Sequence, residues 1–70
     1  MFPLTYAGIG EENTVQRIGG SEEVKRHLEN LGFTAGSPVT VVSTLAGSVI
    51  VNVRGARVAI GKDMAQKIMI

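Results

Sequence analysis

The sequence predicts a mostly β protein, a small β-barrel of about five short strands with one α-helix between the first and second strands. Three observations predict this class. Nine glycines divide the 70 residues at short intervals, and several of the segments between them are rich in β-branched side chains. Only residues 21–31 have the helical spacing of apolar residues. Short strands avoid exposed edges by curling into a barrel, which the helix is expected to cover at one end.

The first strand and the start of the helix are predicted from local signals. Residues 12–18 alternate loosely between polar and apolar, and Gly19-Gly20 ends this strand. The helix is predicted over residues 21–31. Ser21 is a suitable N-cap, and Glu22-Glu23 lie in the first turn, where the helix dipole favours negative charge.

The rest of the helix has one apolar stripe and a clear end. Val24, Leu28 and Leu31 lie at i, i+4 and i+7, so they share one face. Gly32 is the expected left-handed cap. Phe33 follows it directly, and we expect it to fold back on Leu28 as in a Schellman motif.

A β-hairpin is predicted after a turn at residues 34–38. Its strands are residues 39–45 and 49–54, joined by Ala46-Gly47-Ser48. Two registers fit this sequence. A two-residue turn at Ala46-Gly47 would pair Val42 with Val51, whereas a three-residue loop would pair Val41 with Val53.

The three-residue loop is preferred because it places more apolar side chains on one face. The residues expected on that face are Val39, Val41, Leu45, Val49, Val51 and Val53.

The end of the chain is predicted to complete the sheet. Gly55-Ala56 is expected to form a tight turn, and residues 57–60 the next strand, with Val58 and Ile60 inward. Residues 61–66 are expected to form one helical turn, and residues 67–70 the closing strand.

Composition limits the function classes. Seventy residues form a single domain, 1–70, with little volume for a deep active site. The net charge of +1 gives no basic stripe for nucleic acid, and the absence of cysteine excludes disulfides and thiolate metal sites. No signal peptide or membrane-spanning run is present, which fits a cytoplasmic location. A binding module is favoured over an enzyme.

Four segments of the chain form a set of motifs: Gly19-Gly20, the stretch from Leu28 to Gly36 (like Leu-x-x-Leu-Gly-Phe/Leu-x-x-Gly), the Val51–Gly55 stretch and the ending from Met64 to Ile70. Together they resemble the FeoA family of small SH3-like barrel proteins. Pro3-Leu4 also fits, so the resemblance spans nearly the whole chain. It implies an SH3-like β-barrel, and most of the matching residues are of structural types, glycines and aliphatics.

The resemblance implies an accessory role in bacterial ferrous iron uptake. Family members are cytoplasmic partners of FeoB, a membrane iron permease with a cytosolic GTPase domain. Docking on the cytosolic side of FeoB is therefore the expected function, with no small-molecule substrate and no nucleic acid bound. The alternative is a metal-responsive regulatory or iron-carrier module, like the SH3-like domain of DtxR-type repressors. The protein is expected to be a monomer or a weak homo-oligomer.

The expected partner-binding residues lie on the helix and the turn that follows it. They are Arg26, His27, Leu28 and Phe33. Many family members carry arginine at the position of His27, so the contacts of this chain are expected to differ in detail. Arg54 and Arg57, with Arg26 and Lys62, could add a basic rim for an acidic partner surface.

Two residues are candidate metal ligands. Glu23 and His27 lie at i and i+4 on the helix, and imidazole and carboxylate both suit Fe²⁺. Two ligands on a surface helix do not make a selective site, so no cofactor is expected beyond weak Fe²⁺ binding. The more common role of such a histidine is a hydrogen-bonded side chain at the edge of the core.

Catalytic and nucleotide sites are not expected. His27 is the only histidine and no cysteine is present, so no nucleophile, base and orienting group can be assembled. Gly19-Gly20-Ser21 leads into a helix, but two glutamates follow where a phosphate would bind.

Overall fold

The protein consists of six short strands, two helices and one 3-10 turn, as described by a computed structural model of residues 1–70. The strands are β1 (Glu12–Thr14), β2 (Arg17–Ile18), β3 (Pro38–Leu45), β4 (Ser48–Val53), β5 (Ala56–Gly61) and β6 (Ile68–Met69). The helices are α1 (Glu22–Asn30) and α2 (Lys62–Ala65), and the 3-10 turn is Leu4–Tyr6. The predicted mostly β class is confirmed. Neither helix is long and apolar enough to cross a membrane.

The predicted first strand, residues 12–18, is two strands that belong to different sheets. β1 pairs with β3 in the sheet β1-β3-β4-β5, whereas β2 pairs with β6. Val15, between them, is buried, and its N–H donates to the carbonyl of Ser37 at 2.9 Å. The next N–H, of Gln16, donates to the carbonyl of Met69 at 2.7 Å. The chain therefore changes sheet at Val15, which gives six strands and places α1 between the second and the third.

Helix α1 has the predicted boundaries to within one residue at each end. The Ser21 hydroxyl accepts a hydrogen bond from the Val24 N–H at 3.3 Å. At the other end Gly32 has φ +109°, and the Phe33 N–H donates to the carbonyl of Leu28 at 3.0 Å. This is the predicted Schellman end, and it brings Leu28 and Phe33 into the core, where both are fully buried.

The β3–β4 hairpin follows neither predicted register along its whole length. Its turn is the two residues Ala46 and Gly47, with φ values of +42° and +86°. The preferred three-residue loop, and with it the pairing of Val41 with Val53, is therefore wrong. A two-residue turn of this kind matches the twist of the flanking strands. A β-bulge between Val41 and Ser43 then shifts the register, so that Val41 pairs with Val51.

The bulge explains which side chains point inward. Val39, Val41, Val49, Val51 and Val53 are all buried, as predicted. Leu45 is 66% exposed, so its predicted inward position is wrong. It lies on the turn side of the bulge, where the alternation of the strand has changed by one residue.

The second half of the chain closes around the first. β4 and β5 are joined by a turn at Arg54 and Gly55, one residue earlier than predicted, and pair over six residues without a bulge. Phe2 and Ile70 exchange two backbone hydrogen bonds, at 2.9 and 2.7 Å, which ties the N-terminal segment to the end of the chain.

One hydrophobic core lies between the two sheets and α1. It consists of Leu4, Val15, Leu28, Phe33, Val39, Val41, Val49, Val51, Val53, Ile60, Ala65 and Ile68. Val58 is half-buried against it, as are Val24 and Leu31 of the helix stripe. The hydrogen bonding does not close into the predicted barrel, because β5 has no strand on its outer side.

Candidate functional site

The outward side of α1 carries two of the four predicted contact residues. Arg26 and His27 are exposed on this helix face, which we define by Glu23, Arg26, His27 and Asn30. The face borders an open depression of about 490 Å³, which Met64 of α2 also lines. These side chains can offer charge and hydrogen bonds to a partner.

The other two predicted contact residues are not on the surface. Leu28 and Phe33 each have 0% exposure, so neither can contact a partner directly. Their assignment as contact residues is corrected. They hold α1 against the sheet and thereby position the helix face.

Glu23 and His27 border the same depression, as expected for side chains one helical turn apart. No group of three or more His, Asp or Glu side chains lies close enough together to hold a metal ion. The pair thus supplies two potential ligands for an ion such as Fe²⁺, and any further ligands would have to come from water or from another molecule.

The predicted basic rim is divided between two ends of the molecule. Arg54 packs beside Gly32, at the end of α1, with its Cδ 3.3 Å from where a Cβ on Gly32 would lie. Lys62 follows the opposite end of β5, where its N–H donates to the carbonyl of Gly47 at 3.0 Å. Lys62 is therefore not near Arg54 and Arg57.

A second surface was not found by sequence reasoning. The side chains of Phe2 and Tyr6 are 62% and 77% exposed, and they line a depression of about 480 Å³. We call this surface the aromatic face and define it by Phe2, Tyr6, Ala7, Glu11, Asn13 and Ile70. The only sequence signal is the presence of two of the three aromatic residues within six residues of each other, in a segment without strand or helix pattern.

The aromatic face has the composition of a protein-binding site. Exposed tyrosine and phenylalanine are enriched in interfaces, and charged side chains are depleted at their centres. Here one carboxylate, that of Glu11, borders an otherwise uncharged depression, and it accepts a hydrogen bond from the Asn13 amide at 3.4 Å.

Comparison with known proteins agrees with the resemblance to the FeoA family. A model of the FeoA domain matches residues 2–70. A protein of Methanocaldococcus jannaschii named "Putative Fe(2+) transport protein A" is 36% identical over 70 residues, which are 100% of this chain and 85% of that protein.

Solved structures share the fold. The crystal structure of an iron uptake regulatory protein, FeoA, has a TM-score of 0.88 at 34% identity and covers 97% of this chain and 90% of its own. A manganese-dependent transcriptional repressor has a TM-score of 0.85 at 28% identity, over 94% of this chain but 38% of the repressor. The zinc complex of FeoA from Stenotrophomonas maltophilia, described as an SH3 domain protein, has a TM-score of 0.81 at 21% identity, over 94% of this chain and 85% of its own.

These likenesses confirm the predicted SH3-like fold, including its resemblance to a domain of metal-dependent repressors. The match of the FeoA model to residues 2–70, together with 36% identity over the whole of this chain to a relative named for Fe²⁺ transport, shows that this chain belongs to the FeoA domain family.

Proposed function

We propose that this protein is a non-enzymatic accessory of ferrous iron uptake that docks on the cytoplasmic part of a FeoB-type permease. The observation that carries the proposal is the match to the FeoA domain over residues 2–70, together with the relative named for Fe²⁺ transport. In this role the protein would work on the cytoplasmic side of the membrane and reach it through its partner.

We propose the aromatic face as the surface that docks. Interfaces take most of their binding free energy from a few aromatic or arginine side chains that become fully desolvated. Tyr6 and Phe2 are aromatic side chains available for such contacts, since each exposes more than half of its surface beside the depression of the aromatic face. The helix face, through Arg26 and His27, is the second proposed surface, with more polar character.

Matched single substitutions distinguish the two surfaces. Tyr6→Ser removes the most exposed aromatic side chain and should weaken binding to the cytosolic part of the cognate FeoB by tenfold or more. The fold should be unaffected because Tyr6 is 77% exposed. Leu45→Ser is the control, since it removes a large apolar side chain, 66% exposed, from beside the β3–β4 turn.

Isothermal titration calorimetry measures the affinity of these variants and of Arg26→Glu for the cytosolic part of FeoB. The aromatic face is wrong as the docking surface if Tyr6→Ser and Leu45→Ser both bind like the wild type. A selective loss in Arg26→Glu would then assign docking to the helix face. No measurable binding by the wild-type protein would contradict docking on this part of FeoB altogether.

The alternative function, a metal-responsive or iron-carrier module, is supported by two separate observations. The fold matches a manganese-dependent repressor at 28% identity, and Glu23 and His27 share one depression. This function requires direct Fe²⁺ binding. Anaerobic Fe²⁺ alone should then change the NMR signals of the His27 ring in the wild type and not in Glu23→Gln, whereas docking requires no such change.

A further inference from the structure

Strand β5 forms an open edge of the larger sheet. It is the last strand in the order β1-β3-β4-β5 and pairs only with β4. Gly61 is the N-cap of α2, and the other five residues, from Ala56 to Ile60, take part in no loop, turn or cap hydrogen bond. Arg57, Ala59 and Gly61 are all exposed, so no other segment covers this edge.

The hairpin geometry shows which backbone groups are free. In an antiparallel pair, hydrogen-bonded residue pairs alternate with pairs that are not bonded to each other. The two residues that flank a two-residue turn form a bonded pair, here Val53 and Ala56. The hydrogen bond from the Lys62 N–H to the Gly47 carbonyl, at 3.0 Å, continues the same alternation at the other end. The N–H and C=O groups of Arg57 and Ala59 therefore point away from β4, as does the N–H of Gly61. The Gly61 carbonyl is that of the N-cap of α2 and accepts the first hydrogen bond of that helix.

This edge has little protection against pairing with another strand. Natural edge strands are usually short, interrupted by a bulge or proline, or rich in charged side chains. β5 has six residues, pairs with β4 without a bulge, and carries a single charged side chain, that of Arg57. The opposite edge of the sheet, β1, has only three residues.

We propose that β5 binds β5 of a second copy of this chain in antiparallel orientation, with the two Ala59 residues facing each other on a two-fold axis. In this register Arg57 of each copy lies opposite Gly61 of the other. The two Ala59 residues then exchange both backbone hydrogen bonds, the Gly61 N–H of each copy donates to the Arg57 carbonyl of the other, and the two sheets become one sheet of eight strands.

The register is favoured because β5 is complementary to itself in this alignment. The only charged side chain, Arg57, faces a glycine, so like charges do not oppose each other across the strands. On the inner face Val58, which is half-buried, lies opposite Ile60 of the second copy. On the outer face Ala59 and Gly61 are small, and nothing lies within 4 Å of where a Cβ on Gly61 would be.

The same geometry makes the proposed dimer weak. A pair of six-residue strands buries less surface than the roughly 1,200–2,000 Å² of a stable interface. We therefore expect association at protein concentrations on the order of 100 μM and above.

A pair of substitutions at Gly61 tests both the edge and the register. Gly61 has an ordinary φ of −67° and open space around it, so a side chain can be added there without strain. Gly61→Arg places two arginines opposite each other and should weaken association about tenfold. Gly61→Glu places a carboxylate opposite Arg57 twice per dimer and should strengthen it.

Sedimentation equilibrium of wild type and both variants measures the effect, and circular dichroism confirms that each is folded. The double variant Arg57→Glu/Gly61→Arg restores opposite charges across the strands and should recover the wild-type affinity or better. A wild-type protein that is monomeric at 1 mM overturns the proposal. Equal association of Gly61→Arg and Gly61→Glu overturns it as well.

Discussion

The residues from Leu28 to Gly36 show what single positions of the family motif do. Leu28 and Phe33 are fully buried, and Gly32 and Gly36 have φ values of +109° and +90°. All four serve the fold. The sequence identified these positions but could not distinguish core from contact at Leu28 and Phe33, because apolar side chains at the end of a helix occur in both.

Phe2 and Tyr6 were missed for a related reason. Whether an aromatic side chain is covered depends on the packing of the whole chain, and no local pattern reports it. The N-terminal segment crosses the surface beside Ile70, and this arrangement follows from backbone pairing between the two ends of the chain.

Gly32 allows a direct test of its role at the end of α1. Gly32→Ala should destabilise the protein, because its φ of +109° is unfavourable for alanine and the added Cβ would lie 3.3 Å from Arg54 Cδ. The conformational part alone is about 1–2 kcal/mol. Urea denaturation measures the change in the free energy of unfolding.

Gly36→Ala is the matched control for that measurement. Its φ of +90° carries a similar conformational cost, but nothing lies within 4 Å of the added Cβ. Gly32→Ala should therefore be the more destabilising of the two. Equal losses of stability in the two variants would show that the contact between Arg54 and the added Cβ at residue 32 has no effect on the free energy of unfolding.

At the scale of elements, local signals predicted boundaries well and pairing poorly. Helix α1 begins after Ser21 and ends at Gly32-Phe33 because capping acts over a few residues. The β3–β4 register depends on the backbone of the turn and on a bulge three residues away from Leu45. The longer loop was predicted because it places more apolar side chains inward in a strand without a bulge, and a bulge changes that alternation.

The β3–β4 turn makes a prediction about stability. Ala46 has φ +42°, which an L-residue with a plain side chain adopts at a cost, whereas Asn-Gly is favoured in two-residue hairpin turns. Ala46→Asn should raise the free energy of unfolding by about 0.5–1 kcal/mol. Ala46→Thr should lower it, because β-branched side chains fit this conformation worst. Thermal denaturation of both variants measures these changes in stability. A loss of stability in Ala46→Asn would contradict the assigned turn.

At the scale of the whole molecule, the sequence predicted the class of fold but not the division into two sheets. The division occurs at Val15, whose backbone binds the Gly36–Ser37 segment while the next residue binds Met69. These are contacts between distant parts of the chain, and the alternation of polar and apolar residues over residues 12–18 contains no information about them. The result is a partly open SH3-like fold with a free edge at β5 and an exposed aromatic face near the chain ends.

Whether this protein acts by docking on FeoB, as we propose, is best decided by an anaerobic NMR titration. The ¹⁵N-labelled protein is titrated with the cytosolic part of the cognate FeoB, with and without Fe²⁺. We expect amide shifts grouped at Tyr6, Ala7, Glu11 and Asn13 on adding FeoB, and none with Fe²⁺ alone. No shifts with FeoB, or shifts at Glu23 and His27 with the metal alone, would contradict it.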